Sequence, residues 1–145
     1  MTGRGHAYLS ILEFGKAHDD FTEVIVLRPS DAIAHYNRGT VFSKAGIWDR
    51  ADADFQYAVR MDPNFVDAWY QRGRIWIIKN RHDWALPMFD SALKINPNHL
   101  ESIIGKAIVL RESESFNESL KELERAIELN PNYANIYVIR GNVYL

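Results

Sequence analysis

The sequence predicts an all-α stack of repeated helix pairs, and three observations carry that expectation. Pro29, Pro63, Pro97 and Pro131 stand at intervals of 34 residues. Small and bulky side chains recur in columns at the same interval. Inside each interval the columns lie three and four residues apart, which is the helical period. A fixed period of this length marks one supersecondary unit stacked on copies of itself, none of which buries its apolar face alone.

The first helix of each unit reads from just after Pro-Xaa-Xaa to a bulky column. A small column, Gly5, Gly39, Gly73, Ala107 and Gly141, lies three residues before Tyr8, Phe42, Trp76, Leu110 and Tyr144. The second helix starts just before Ala17, Ala51, Ala85 and Ser119. It continues through Phe21, Phe55, Phe89 and Leu123, then Val24, Ala58, Ala92 and Ala126, and ends at Leu27, Met61, Ile95 and Leu129. Gly and Ala on a helix face let a neighbouring helix approach, and the ring beside them fills the gap.

Gly46 and Asn80 fall between first and second helices, where a left-handed residue ends a helix. Each grid proline stops a second helix, and the following Ser30, Asn64, Asn98 or Asn132 is placed to cap the next. Pro87 alone is off the grid. It falls inside a second helix, removes the bond to the Asp83 carbonyl and is expected to kink the helix or weaken its hydrogen bonding there, at about 3 kcal/mol in a helix interior.

These columns resemble the tetratricopeptide repeat family, whose pattern runs Trp, Leu-Gly, Tyr, Ala, Phe, Pro over 34 residues. The middle unit is most similar: Trp69, Gly73, Trp76, Ala85, Phe89, Ala92 and Pro97. Where the family has Leu before Gly, this chain has Arg4, Arg38, Arg72, Lys106 and Arg140. The resemblance spans the whole chain and implies an α-solenoid, a right-handed superhelix with first helices along the concave face. The expected organisation is a single domain with units at about 1–31, 32–65, 66–99, 100–133 and a partial unit 134–145, or about nine helices. Gly3, Gly5 and Gly15 read as terminus, packing and turn positions.

Composition narrows the function. The 145 residues are 47% hydrophobic and 25% charged, with 17 basic and 19 acidic side chains and a net charge of −2. Neither half of the chain has a basic excess, so no footprint for a phosphate backbone is present and no nucleic-acid partner is expected. Cysteine is absent, which excludes disulfides, thiol catalysis and cysteine-based zinc sites. No apolar stretch approaches a membrane span, and the first residues lack the apolar run of a signal peptide. A cytoplasmic location without membrane contact is the expectation.

No catalytic constellation or cofactor motif is found. His6, His18, His35, His82 and His99 have no ligand spacing. No dinucleotide fingerprint, phosphate loop or nucleophile elbow occurs. Asp49, Asp52 and Asp54 lack the glycine and terminal Glu of a calcium loop and read as a solvated helix face. The acidic fourth unit, with Glu118 and Glu122 flanking Lys121, reads as a solvated outer helix. No cofactor, metal or enzyme activity is expected.

The resemblance places ligand contacts on the first helices, on the face away from the packing columns. Carried onto this chain, that face holds Ile33, Tyr36, Asn37, Thr40 and Ser43, then Asp67, Tyr70, Gln71, Arg74 and Ile77. Glu101, Ile104, Ile108 and Arg111 follow, then Asn135, Val138 and Asn142. Tyr36 and Tyr70 are one period apart and are expected side by side. An apolar floor with a polar rim suits a peptide or amphipathic helix from a protein partner. The Lys, Arg and Asn clamp by which some family members hold a C-terminal carboxylate is not expected. Its closest register offers Thr2, His6, Asn37, Asp67 and Gln71, with the wrong charge at Asp67. The asparagine ladder of another subfamily is missing too.

Two alternatives stand beside groove binding: a self-associating structural module, and a regulatory fragment of a larger protein. Ile136, Val143, Tyr144 and Leu145 on the last helix are expected to be uncovered and to support a homodimer or end-to-end packing.

Overall fold

The computed structural model describes residues 3–145, with side-chain surroundings from residue 11 onward. Eight α-helices account for them, and no strand occurs among the described residues. The helices are α1 (Gly3–Leu27), α2 (Ala32–Lys44), α3 (Trp48–Met61), α4 (Val66–Ile78), α5 (His82–Ile95), α6 (Leu100–Glu112), α7 (Phe116–Leu129) and α8 (Ala134–Val143). They gather into two compact units, Met1–Pro63 and Asn64–Leu145. In the first unit α2 packs against α3 and α1. In the second, α4 pairs with α5 and α6 with α7, while α6 also meets α4 and α5, and α8 lies against α7 and α6.

Glycines set these helix pairs. A Cβ on Gly39 would come within 2.9 Å of the Phe55 ring, and one on Gly73 within 2.6 Å of Phe89. Gly105 reaches the same Phe89 ring from the other side, at 2.5 Å. Phe89 is therefore held between α4 and α6, and both Phe55 and Phe89 are fully buried. Gly105 was not among the expected packing columns. Gly105→Ala is expected to destabilise the chain by about 1–3 kcal/mol through overpacking. Gly141→Ala, with nothing within 4 Å, is expected to be neutral or stabilising by up to about 1 kcal/mol. Equal melting temperatures for the two variants would refute this account of Gly105.

The turns within pairs share one geometry. Gly46, Asn80 and Glu114 take φ of 74°, 58° and 61°. Around them the next amide bonds back across the helix end: Ile47 to the Phe42 carbonyl at 2.9 Å, Arg81 to Trp76 at 2.8 Å and Ser115 to Leu110 at 2.8 Å. This is the six-to-one bond of a Schellman ending. Glu114 adopts the left-handed region without glycine's freedom, at about 1–2 kcal/mol.

The same position one period before Gly46 is Leu12, and there the chain does not turn. α1 continues unbroken to Leu27, so the expected first pair is one long helix and the count is eight rather than about nine. Gly15 lies inside α1, three residues past the turn column, where its conformational freedom cannot end the helix. The caps also differ from expectation. The N-cap residues are Asp31, Phe65, His99 and Tyr133, one residue after the expected Ser or Asn. Among them only Asp31 caps with its side chain, accepting from the Ala34 amide at 2.9 Å. Asn96 instead accepts from the Asn98 amide at 3.1 Å, an Asx turn around Pro97.

α5 runs through Pro87 without interruption. Pro87 is exposed and one and a half turns into the helix, so only the bond to Asp83 is forfeited there. At the start of α5 Arg81 donates two 3.2 Å hydrogen bonds to Asp83, which hold its carboxyl below the usual range.

Candidate functional site

The second unit carries a groove of about 290 Å³ between α4, α6 and the start of α8. Tyr70, Arg74 and Ile77 come from α4, one turn apart. Glu101, Ile104 and Ile108 come from α6 at the same rotation, because the 34-residue period returns each helix to an equivalent face. Asn135 adds a polar edge. All seven belong to the face expected from the sequence. Phe89, Gly105, Ile78 and Tyr133 complete the lining. Gly105 sits directly over the Phe89 ring, which is fully buried beneath the groove floor.

The groove is mostly apolar with one charge of each sign. The Arg74 guanidinium lies 5.9 Å over the Tyr70 ring and donates to Gln71 Oε1 at 3.0 Å. Glu101 lies across from it on α6, 3.6 Å from His99 Nε2. His99 also meets Asp67 Oδ1 at 3.3 Å, Ser102 Oγ at 2.8 Å and the edge of Tyr70. Tyr70 is thereby fixed between His99, Phe89 and Arg74. Asp67, Gln71 and Arg111 do not line the groove. Asp67 is turned to His99, and Arg111 is held by Glu112 at 2.6 Å.

In the first unit Tyr36 packs on Phe55, with ring centroids 5.4 Å apart. Asn37 and Thr40 line a separate groove of about 340 Å³ with Phe14, Ala17 and Phe21. Tyr36, Asn37 and Thr40 thus belong to the first unit, and Asp67, Tyr70, Gln71, Arg74, Glu101, Ile104, Ile108 and Arg111 to the second.

Three expectations are corrected. Asp54 is not on a solvated face. It is buried, accepting from Arg38 Nε at 2.8 Å and Nη2 at 2.9 Å, with His35 Nδ1 at 3.2 Å. The hydrogen bonds to Asp54 raise the Arg38 guanidinium above its ordinary value, against the opposing effect of burial. His35 bonds through its other nitrogen to the Pro29 carbonyl at 3.1 Å and stacks on Tyr57, so both ring nitrogens face oxygen acceptors. The network ties the turn before α2 to α3. Second, Glu122 faces inward to Lys106 at 3.9 Å and to Arg125 at 3.7 Å rather than flanking Lys121 in solvent.

Third, Ile136 is not an uncovered end residue. It is fully buried, packed in the core of the second unit with Leu93, Ile103 and Leu123. It occupies the column of Ala34, Ala68 and Ser102, all of them buried. Val143 is half-buried against the same core. Tyr144 and Leu145 are exposed, as are Tyr133, Tyr137 and Val138.

Among the described residues no cluster of His, Asp or Glu is arranged to hold a metal ion. No described helix is long and apolar enough to cross a membrane.

Family models described as tetratricopeptide repeat match residues 2–51 and 36–99, and one described as TPR repeat matches residues 109–145. No curated protein sequence matches the chain significantly. Among solved structures the chain is similar to YrrB, described as a TPR protein with an unusual peptide-binding site. The identity is 23% and the TM-score 0.80, over 96% of this chain and 72% of that one. MamA gives a TM-score of 0.85 at 16% identity, over 99% and 84%. The first TPR of Spaghetti (RPAP3), bound to the HSP90 peptide SRMEEVD, gives 0.76 at 18% identity, over 78% and 90%. At these identities the likeness concerns the fold.

Proposed function

The chain belongs to the tetratricopeptide repeat family, and from that premise we propose that it is a non-catalytic scaffold whose second unit binds a peptide or amphipathic helix of a protein partner. The observation that carries this reading is the groove of about 290 Å³ in which Tyr70, Ile104 and Ile108 form an apolar floor between Arg74 and Glu101. Its size suits one or two large side chains, which supply most of the energy when buried in a fitted pocket. Opposite charges on the two banks favour one direction for a bound segment carrying both signs. The peptide-bound relative supports the general mode of use, not the ligand. Asp67, an exposed acid engaged with His99, stands where a carboxylate clamp needs a neutral or basic group. A C-terminal carboxylate is therefore not the proposed ligand.

The test is selection from a displayed peptide library on the full chain, followed by titration calorimetry of the selected sequences. Peptides with a large apolar residue beside an acidic one are expected. Tyr70→Ala and Ile108→Glu are each expected to weaken binding about tenfold or more, with melting curves close to wild type for Tyr70→Ala. Selected peptides that bind both variants unchanged would move the site elsewhere.

A further inference from the structure

Two kinds of contact between residues sixteen apart recur in the helix pairs, and α2–α3 makes both. Gly39 faces Phe55 and Gly73 faces Phe89. One residue earlier, Arg38 pairs with Asp54 at 2.8 Å, and Lys106, whose close partner is Asp90 at 2.9 Å, also approaches Glu122 at 3.9 Å. Sixteen residues is the step from the first helix of a pair to the second. α8 carries the first-helix half of both contacts, Arg140 and Gly141, and neither contact is made. Nothing lies within 4 Å of a Cβ on Gly141, and Arg140 rests over the Tyr137 ring with no ion pair among the described residues.

α1 carries the complementary half, Asp20 and Phe21. By the same offset their partners are Arg4 and Gly5, but all four lie on one continuous helix. At 1.5 Å per residue Gly5 is about 24 Å from Phe21 and cannot reach it. Asp20 is exposed and makes no ion pair among the described residues. Phe21 is half-buried and lines the open groove of about 340 Å³ beside α2.

We propose that α8 of one copy docks into the α1–α2 groove of a second copy. Arg140 then meets the second copy's Asp20, and Gly141 lies under its Phe21. The phase is preserved, since Gly5 and Gly141 are four periods of 34 residues apart. Charge is complementary. α8 holds Arg140 and no acidic residue, while α1 carries the exposed Asp20 beside Phe21 and lines the groove with Glu13, Lys44 of α2 being the basic residue there. The interface joins two different surfaces, so it propagates into a chain or closes as a ring.

The experiment is sedimentation velocity on the full chain over a concentration series, with charge reversals at each half. The wild-type mass is expected to rise with concentration. Asp20→Arg and Arg140→Asp are each expected to weaken association about tenfold or more, since like charges then face each other. An equimolar mixture of the two variants is expected to recover it, because every junction regains an opposite pair. Gly141→Phe is expected to abolish association with an unchanged melting curve, as the site has open space within the chain. The proposal is overturned if wild type stays monomeric up to about 1 mM, as it would if the groove were filled by the chain's own N-terminal turns or reserved for another protein. It is equally overturned if single reversals associate like wild type, or if their mixture fails to recover.

Discussion

Phe89→Ala is expected to cost about 3–5 kcal/mol, close to the whole stability of a small domain. The ring is fully buried and fills the space under two glycines, Gly73 and Gly105, so its removal opens a cavity that touches both α4 and α6. Neither glycine has a side chain with which to collapse into it, which places the cost toward the upper part of the range. Because α4 and α6 also line the candidate groove, peptide binding should be lost together with structure. Urea denaturation followed by tryptophan fluorescence is well placed to read this, since Trp69, Trp76 and Trp84 all lie in the second unit. A midpoint equal to wild type would mean that the ring is not shared as described.

Asp54→Ala is the second large effect, expected at about 3 kcal/mol. Breaking a buried ion pair from one side strands its partner, at about 3–5 kcal/mol. The lower end applies because the Arg38 side chain is 21% exposed and regains some water. His35 would lose one of its two acceptors while still bonded to the Pro29 carbonyl. The loss belongs to the first unit, so amide exchange should accelerate in α2 and α3 and stay near wild type in α6 and α7. Uniform acceleration, or a change below about 1 kcal/mol, would refute a buried network that holds the turn before α2.

The helix pairs were legible because two constraints act together. Period and spacing placed the starts near Ala32, Val66, Leu100 and Ala134, and the small and aromatic columns named Gly39, Phe55, Gly73 and Phe89 as packing partners. What the columns could not show is which departure from the pattern matters. Leu12 in place of Gly or Asn keeps α1 straight, whereas Glu114 in the same column does not prevent a turn. Local preference is worth only about 1–2 kcal/mol there, and the packing of the flanking pair decides. Asp54 is indistinguishable in sequence from a solvated acid, because its partners Arg38 and His35 stand on another helix. Ile136 shares a column with Ala34, Ala68 and Ser102, whose small size is the trace in the sequence of a close-packed position.

The face holding Tyr70, Arg74, Glu101, Ile104 and Ile108 was legible from helical rotation and the repeat. The rest of its lining was not. Phe89 lies on a second helix, Gly105 on the side of α6 that packs against Phe89, and Tyr133 ahead of α8, so none of them falls on the face read from the repeat.

The sixteen-residue offset between glycine and ring also makes the length of this chain a quantised variable. Excision of residues 66–99 removes one first helix and one second helix together. Every surviving pair keeps its own offset, its own Schellman turn and its own proline stop. Loss or gain of any other number of residues shifts an acidic or aromatic residue away from the guanidinium or glycine it answers. Growth and shrinkage in steps of 34 are thus the changes that this architecture absorbs, and natural length variants of such a chain should be spaced accordingly.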